Sequence, residues 1–199
     1  SSLNISTDGS IVAIGNPYGT YSSNNGGSGC VKIYQNINGS WGQLGNSILG
    51  DEGTYERTGT AVSLSSNGSI IAVTSRASHA ISDPVFGSDD FLVGKVEVFT
   101  YINNDWEQLG QTIYGENYYD NLGKSVSLSE NGSILAVSAP SNTSHLEGFV
   151  RVYKNINDSW IKIGSDIIGE NNFDSFGDSV SLSADGSVVA IGAEYNDGV

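Results

Sequence analysis

One phrase is written four times along this chain, and a chain of repeats buries its apolar surface by stacking like units against one another. It reads TGTAVSLSSNGSIIAVTSRA at 58–77, DNLGKSVSLSENGSILAVSA at 120–139 and DSFGDSVSLSADGSVVAIGA at 174–193. The chain opens partway through a fourth copy, LNISTDGSIVAIGNP. The Asp/Asn-Gly-Ser turn falls at Asp8, Asn67, Asn131 and Asp185, at intervals of 59, 64 and 54 residues. Trp41, Trp106 and Trp160 keep the same beat, 65 and 54 residues apart. The period is near sixty, with loops of variable length absorbing the differences.

Each unit divides into four strand-like pieces. VSLS alternates apolar and polar residues and runs into a tight Asp-Gly or Asn-Gly turn, a dipeptide that accepts positive φ in short hairpins. The second piece, such as SVVAIGA at 187–193, is almost continuously apolar, as a strand buried on both faces should be. The third is GFVRVYKN at 148–155, matched by GCVKIYQN and GKVEVFTY, with a period of two. A second hairpin follows, NINGSW, YINNDW or NINDSW, and leads into Trp-x-x-[Leu/Ile]-Gly-x-x-Ile-x-Gly. Helical periodicity is absent. Four antiparallel strands per unit describe a blade of a β-propeller. The expected fold is therefore all-β, with blades over about 3–50, 58–115, 122–169 and a partial blade over 176–199. About three and a half blades are present, which predicts part of a larger, roughly seven-bladed ring. Trp41, Trp106 and Trp160 are expected to form structural core between neighbouring sheets.

Composition narrows the function. Asp and Glu number 22 against 8 Lys and Arg, a net charge of −14. Nucleic-acid binding needs the opposite sign, and an anionic membrane surface is disfavoured for the same reason. Hydrophobic residues make up 38% of the chain and no apolar run approaches membrane-spanning length, so no membrane insertion is expected in this segment. The first residues already belong to a repeat, so no signal peptide is visible here; one removed earlier or lying upstream would not show. Cys30 is the one cysteine, which excludes an internal disulfide and a CxxC zinc site. At the start of a third strand it reads as a small buried filler.

The pieces FGDSVSLS…VVAIGA (176–193) and LGKSVSLS…ILAVSAP (122–140) resemble FG-GAP repeats, which build the propeller of integrin α subunits and of many surface proteins. Phe176-Gly177 stands for the FG element, and Gly192-Ala193 and Ser138-Ala139-Pro140 for the GAP element. Leu122-Gly123 and Thr58-Gly59 depart from Phe-Gly, and Gly15-Asn16-Pro17 departs from Gly-Ala-Pro. The resemblance covers the whole chain. It implies a seven-bladed ring and a cell-surface or secreted setting. In that family several first hairpins carry Asp-rich calcium loops. Calcium takes six to eight oxygen ligands, whereas STDGS, SSNGS, SENGS and SADGS offer one or two acids each, so no calcium or other cofactor is expected.

Any recognition chemistry should lie on the face that carries the loops between blades, because loops carry function where sheets position them. GDEGTYERTG, GENYYDNLG and SRASHAISDPVFGSDDFLVG mix acids with aromatics. The candidate ligand-binding residues are Asp51, Glu52, Tyr55, Asp89, Asp90, Glu116, Tyr118, Tyr119 and Asp120. Solvation of the surface is the plainer explanation for the same acids. Catalytic signatures are missing: no Gly-x-Ser-x-Gly elbow, no HExxH, no Walker loop and no GxGxxG before a helix occur. His79 and His145 lie in loops of different blades. Six Asn-x-Ser/Thr sequons occur, of which Asn142, Asn38 and Asn157 are candidate glycosylation sites.

These observations predict a non-catalytic, secreted or cell-surface binding or adhesion module, not an enzyme, whose acidic, aromatic loops meet a protein or glycan. Two alternatives remain at this point: a structural block that assembles with other copies of itself, and an accessory propeller of a larger secreted enzyme.

Overall fold

A computed structural model describes residues 1–19, 28–51, 56–76, 93–117, 120–140 and 147–198. Within them the chain forms sixteen strands, all paired antiparallel, in four successive sheets. The first sheet runs β1 (Ser2–Ile5), β2 (Ile11–Asn16), β3 (Cys30–Ile37) and β4 (Ser40–Gln43), with β5 (Ile48–Leu49) also on β3. The second runs β6 (Thr58–Leu64), β7 (Ile70–Ser75), β8 (Lys95–Ile102) and β9 (Asp105–Gln108), with β10 (Ile113–Tyr114) also on β8. The third runs β11 (Val126–Leu128), β12 (Ile134–Ala139), β13 (Phe149–Ile156) and β14 (Ser159–Ile168). The fourth holds the hairpin of β15 (Phe176–Leu182) and β16 (Val189–Ala193). Each sheet is a blade, and the whole is a β-propeller-type fold. No helix in the described residues is long and apolar enough to cross a membrane.

The recurring turn has one hydrogen-bond plan. Asp8 Oδ1 accepts from the Ser6 hydroxyl at 2.7 Å, the Ser10 amide at 2.9 Å and the Ser10 hydroxyl at 2.8 Å, while Ser6 Oγ accepts from the Ile11 amide. Asn67, Asn131 and Asp185 do the same with their flanking serines. Both serines of Ser-x-[Asp/Asn]-Gly-Ser are therefore used, which is why the motif is five residues long. Where the centre is Asp, the donors favour the charged carboxylate. Ser10 and Ser6 lower the pKa of Asp8, and Ser183 and Ser187 lower that of Asp185 to about 2. A folded-state pKa below the unfolded value means stability that is present above about pH 4 and lost as pH falls through about 2. A carboxyl-carbon NMR titration should place Asp185 at about 2; a midpoint near the unperturbed ~3.9 would show that the serines do not hold it. The second hairpins turn through paired residues at positive φ, Asn38-Gly39, Asn103-Asn104 and Asn157-Asp158, the geometry that matches strand twist.

Blades are tied along their innermost strands. The Leu64 amide donates to Asn4 Oδ1, the Leu128 amide to Ser63 Oγ and the Leu182 amide to Ser127 Oγ, at 2.9 to 3.0 Å. Ser63 and Ser127, each in a VSLS, thus serve the following blade. The turns add a second row: Thr7 to Ser66, Ser66 to Glu130 and Glu130 to Ala184, each amide to carbonyl at 2.8 Å. Further out, a glycine lets one blade touch the next loop. Gly94 bridges Leu122, and a Cβ there would sit 2.1 Å from the Leu122 carbonyl oxygen. Apolar residues fill the gaps: Ile11, Val31 and Ile33 meet Val62, Leu64 and Val73 between the first and second blades. Val96 and Val98 meet Leu122, Leu135 and Phe149 between the second and third. Cys30 is buried and free, and burial pushes its thiol pKa up.

The tryptophans need one correction. Trp106 is 9% and Trp160 2% exposed, but Trp41 is 49% exposed and is not core. Each buried indole leans on the blade before it: Trp106 Nε1–H donates to the Leu44 carbonyl and Trp160 Nε1–H to the Leu109 carbonyl, both at 2.9 Å. Trp41 belongs to the first blade, and no blade precedes it in the described residues.

Candidate functional site

Strand direction puts the inter-blade loops on one face, opposite the Asn-rich hairpins. In three successive loops a buried acid precedes a residue in the left-handed region: Glu56 before Arg57 (φ 58°), Asp120 before Asn121 (φ 49°) and Asp174 before Ser175 (φ 56°). These acids hold the loops shut. Asp120 Oδ2 accepts from the amides of Glu116 and Asn117 at 2.9 Å. Glu56 Oε2 accepts from the Asp51 amide at 3.2 Å, and Asp174 Oδ2 from the Asn196 side chain at 2.8 Å. The period-sixty pattern contained this signal, but an acid in a loop reads as exposed until its partners are seen.

Two buried cations join the loops to the sheets. Lys95 Nζ lies 3.1 Å from Glu56, 3.3 Å from Glu97 and 3.7 Å from Asp51, with its side chain 7% exposed. Burial opposes its charge, but Glu97, Glu56 and Asp51 outweigh that and raise its pKa. Arg151 grips Asp166 through Nε and Nη2 and reaches Glu116 at 2.9 Å. Burial and charge act on Asp166 in opposite directions, and its bonds to Arg151 and Lys162 prevail, so its pKa is lowered.

These bonds locate the residues singled out in the sequence. Asp51 and Glu116 are engaged by Lys95 and Arg151. Asp120 is 0% exposed and turned inward. Glu52, Tyr55, Asp89, Asp90, Tyr118, Tyr119 and Asn142 lie outside the described residues, as do His79 and His145. Asn38 and Asn157 sit exposed in the second hairpins. The structure does not gather the described candidates into one open site. Among the described residues no group of three or more His, Cys, Asp or Glu side chains is arranged to hold a metal ion.

The inner rim of the same face carries a different set. Arg57 precedes the innermost strand β6, Arg76 follows β7, and Lys124 and Asp178 stand at corresponding places at the heads of β11 and β15. Lys124 pairs with Asp178 at 2.9 Å. The Arg57 guanidinium stands 5.8 Å above the Tyr18 ring. Arg76 has a buried Nε with no hydrogen-bond partner among the described residues. Burial lowers its pKa, and the neighbouring positive charge of Arg57 lowers it further, against the weaker pull of Asp178. Three cations and one carboxylate thus meet at one end of the inner strands, in a chain of net charge −14. Composition concealed this cluster, because the overall sign points the other way.

Comparison with known proteins supports the fold. No protein-family model matches the chain, and no curated protein matches it in sequence. A "putative 6-phosphogluconolactonase" of Bacteroides uniformis superposes with a TM-score of 0.57 at 15% identity, over 96% of this chain and 46% of that one. Another so titled, from Bacteroides fragilis, gives 0.55 at 13% identity over 95% and 40%. A chain of the complex of KlAtg21 with the coiled coil of AgAtg16 gives 0.58 at 15% identity over 93% and 47%. The chain spans less than half the length of each.

These findings overturn several expectations. The FG-GAP resemblance does not hold, since no family model matches and the similar folds are of another kind. Its residues have a plainer cause: Gly177 is at φ 91° with a Cβ position 3.0 Å from Ser138, so close blade packing requires a glycine there whatever the family. The reading as a non-catalytic, integrin-like extracellular adhesion module, with a self-assembling block and an accessory propeller as alternatives, falls with it. The similar structures include ones titled as enzymes, nothing in the described residues points to adhesion or secretion, and the described acids of that reading, Asp51, Glu116 and Asp120, have partners within the chain. What fold and comparison establish together is a β-propeller-type chain.

Proposed function

We propose that this chain supplies blades to a larger propeller that takes a small-molecule substrate at the inner rim of its loop face. The carrying observation is where the chain departs from its own repeat. Positions that hold blades together recur: the turn serines, the buried loop acids and the indoles. The rim positions do not. Arg76 stands where the other copies have Pro17, Pro140 and Glu194. Arg57 stands where they have Asn121 and Ser175, and Lys124 where they have Thr60 and Asp178. Arg57 takes the left-handed backbone that Asn121 and Ser175 share at the matching place, so the conformation belongs to the blade loop and only the arginine side chain departs from the repeat. Mouths of closed β-structures are a usual place for small ligands. The fold shared with structures titled "putative 6-phosphogluconolactonase" supports a small polar substrate.

A panel of sugars, sugar acids and sugar lactones screened by thermal shift tests this. At least one should raise the melting temperature, and Arg76→Ala with Lys124→Ala should abolish the shift. A shift that survives both substitutions places binding elsewhere and refutes the reading.

A further inference from the structure

Resting on that reading, we infer that the ligand of the rim carries an anionic group, a phosphate or a carboxylate, held between Arg57 and Arg76. Two guanidinium groups near each other repel unless an anion or an acidic side chain lies between them. Neither arginine makes a hydrogen bond or ion pair from its side chain among the described residues. Two other buried cations each meet carboxylates, three at Lys95 and two at Arg151. Arg76 has no carboxylate partner among the described residues, and its Nε is withdrawn from water without a hydrogen bond, a costly state for a donor. A guanidinium offers planar, paired donors that match the oxygen spacing of phosphate and carboxylate. Lys124 pairs with Asp178, which leaves the two arginines as the rim cations without an ion pair among the described residues. Tyr18 sits beneath Arg57 and sets its direction. An anion seated there would offset the burial and the Arg57 charge that act against the Arg76 guanidinium. Blade packing alone gives no reason for either residue, since the other copies do without both.

Titration calorimetry with inorganic phosphate, gluconate and glucose, on the unmodified chain and on Arg76→Gln and Arg57→Asn, tests the inference. Asn fits the left-handed backbone, as Asn121 shows at the matching place, so Arg57→Asn keeps the fold; near-ultraviolet circular dichroism checks both variants. Phosphate or gluconate should bind, glucose alone should not, and each substitution should weaken binding about tenfold or more. Binding of phosphate without gluconate assigns a phosphate ester, and the reverse a sugar acid. Anion binding that is equal in all three chains overturns the inference. Glucose binding with no preference for anions overturns it too, while leaving the rim as the ligand site. No binding by any of the three sinks both.

Discussion

Trp160→Ala should lower the unfolding free energy by about 3–5 kcal/mol, while Trp41→Ala should cost well under ~1 kcal/mol. The two residues occupy the same place in the repeat, so the difference isolates packing against the preceding blade. Trp160 is 2% exposed and its indole N–H reaches the Leu109 carbonyl. Removing it opens a cavity at the seam between the second and third blades and leaves that carbonyl short of a donor. Trp41 is 49% exposed, with no preceding blade against it among the described residues, and loses little. Urea unfolding followed by far-ultraviolet circular dichroism measures both. Equal losses would mean that the indoles act within their own blades, and the stacking account of the core would be wrong.

Lys95→Met should cost about 3–5 kcal/mol at pH 7, because it strands a buried carboxylate. Which carboxylate matters is decided by exposure. The Asp51 side chain is 75% exposed, and water screens it. Glu56 is 5% exposed and has nowhere to turn. Burial already raises the Glu56 pKa against the pull of Lys95, and losing Lys95 raises it further. An acid whose folded pKa lies above its unfolded value gains stability as pH falls through the folded value. The variant should therefore recover as pH drops from 7 toward 5, and Glu56→Gln combined with Lys95→Met should recover at pH 7. In the unmodified chain the same cluster acts at the alkaline end. With the Lys95 pKa raised, its contribution is full below about pH 10.4 and is lost as pH rises through the folded value. Stability of Lys95→Met that is flat from pH 5 to 8 would show that Glu56 is not the stranded group.

The strands and turns were legible because they are local. Asp-Gly between VSLS and VVAIGA can form few things other than a hairpin, and sixty-residue spacing makes that hairpin a repeated unit. The family was misread for a related reason. Glycine after Phe176 is what the close approach of the preceding blade demands, and Gly192 is crowded by Ser179 across its own hairpin, so both report packing and not ancestry. The loop acids misled in another way. Sequence shows that Asp120 is charged and lies in a loop, but two amide donors at 2.9 Å make it a buried clamp. The rim was missed because Arg57 and Arg76 come together only when Thr58 of β6 pairs with Ser75 of β7, and Lys124 belongs to the next blade.

By itself, then, the order of residues determined the all-β class, the blade period and the hairpin turns, since each depends on backbone geometry within a few residues. Only the tertiary structure decided which equivalent residues differ in fate. Trp41 and Trp160 are alike in sequence and unlike in burial, and Arg76 and Arg151 are alike in chemistry and unlike in partners. The reason is physical: burial and pairing are properties of what the neighbouring blade presents, and a single repeat carries no record of its neighbour.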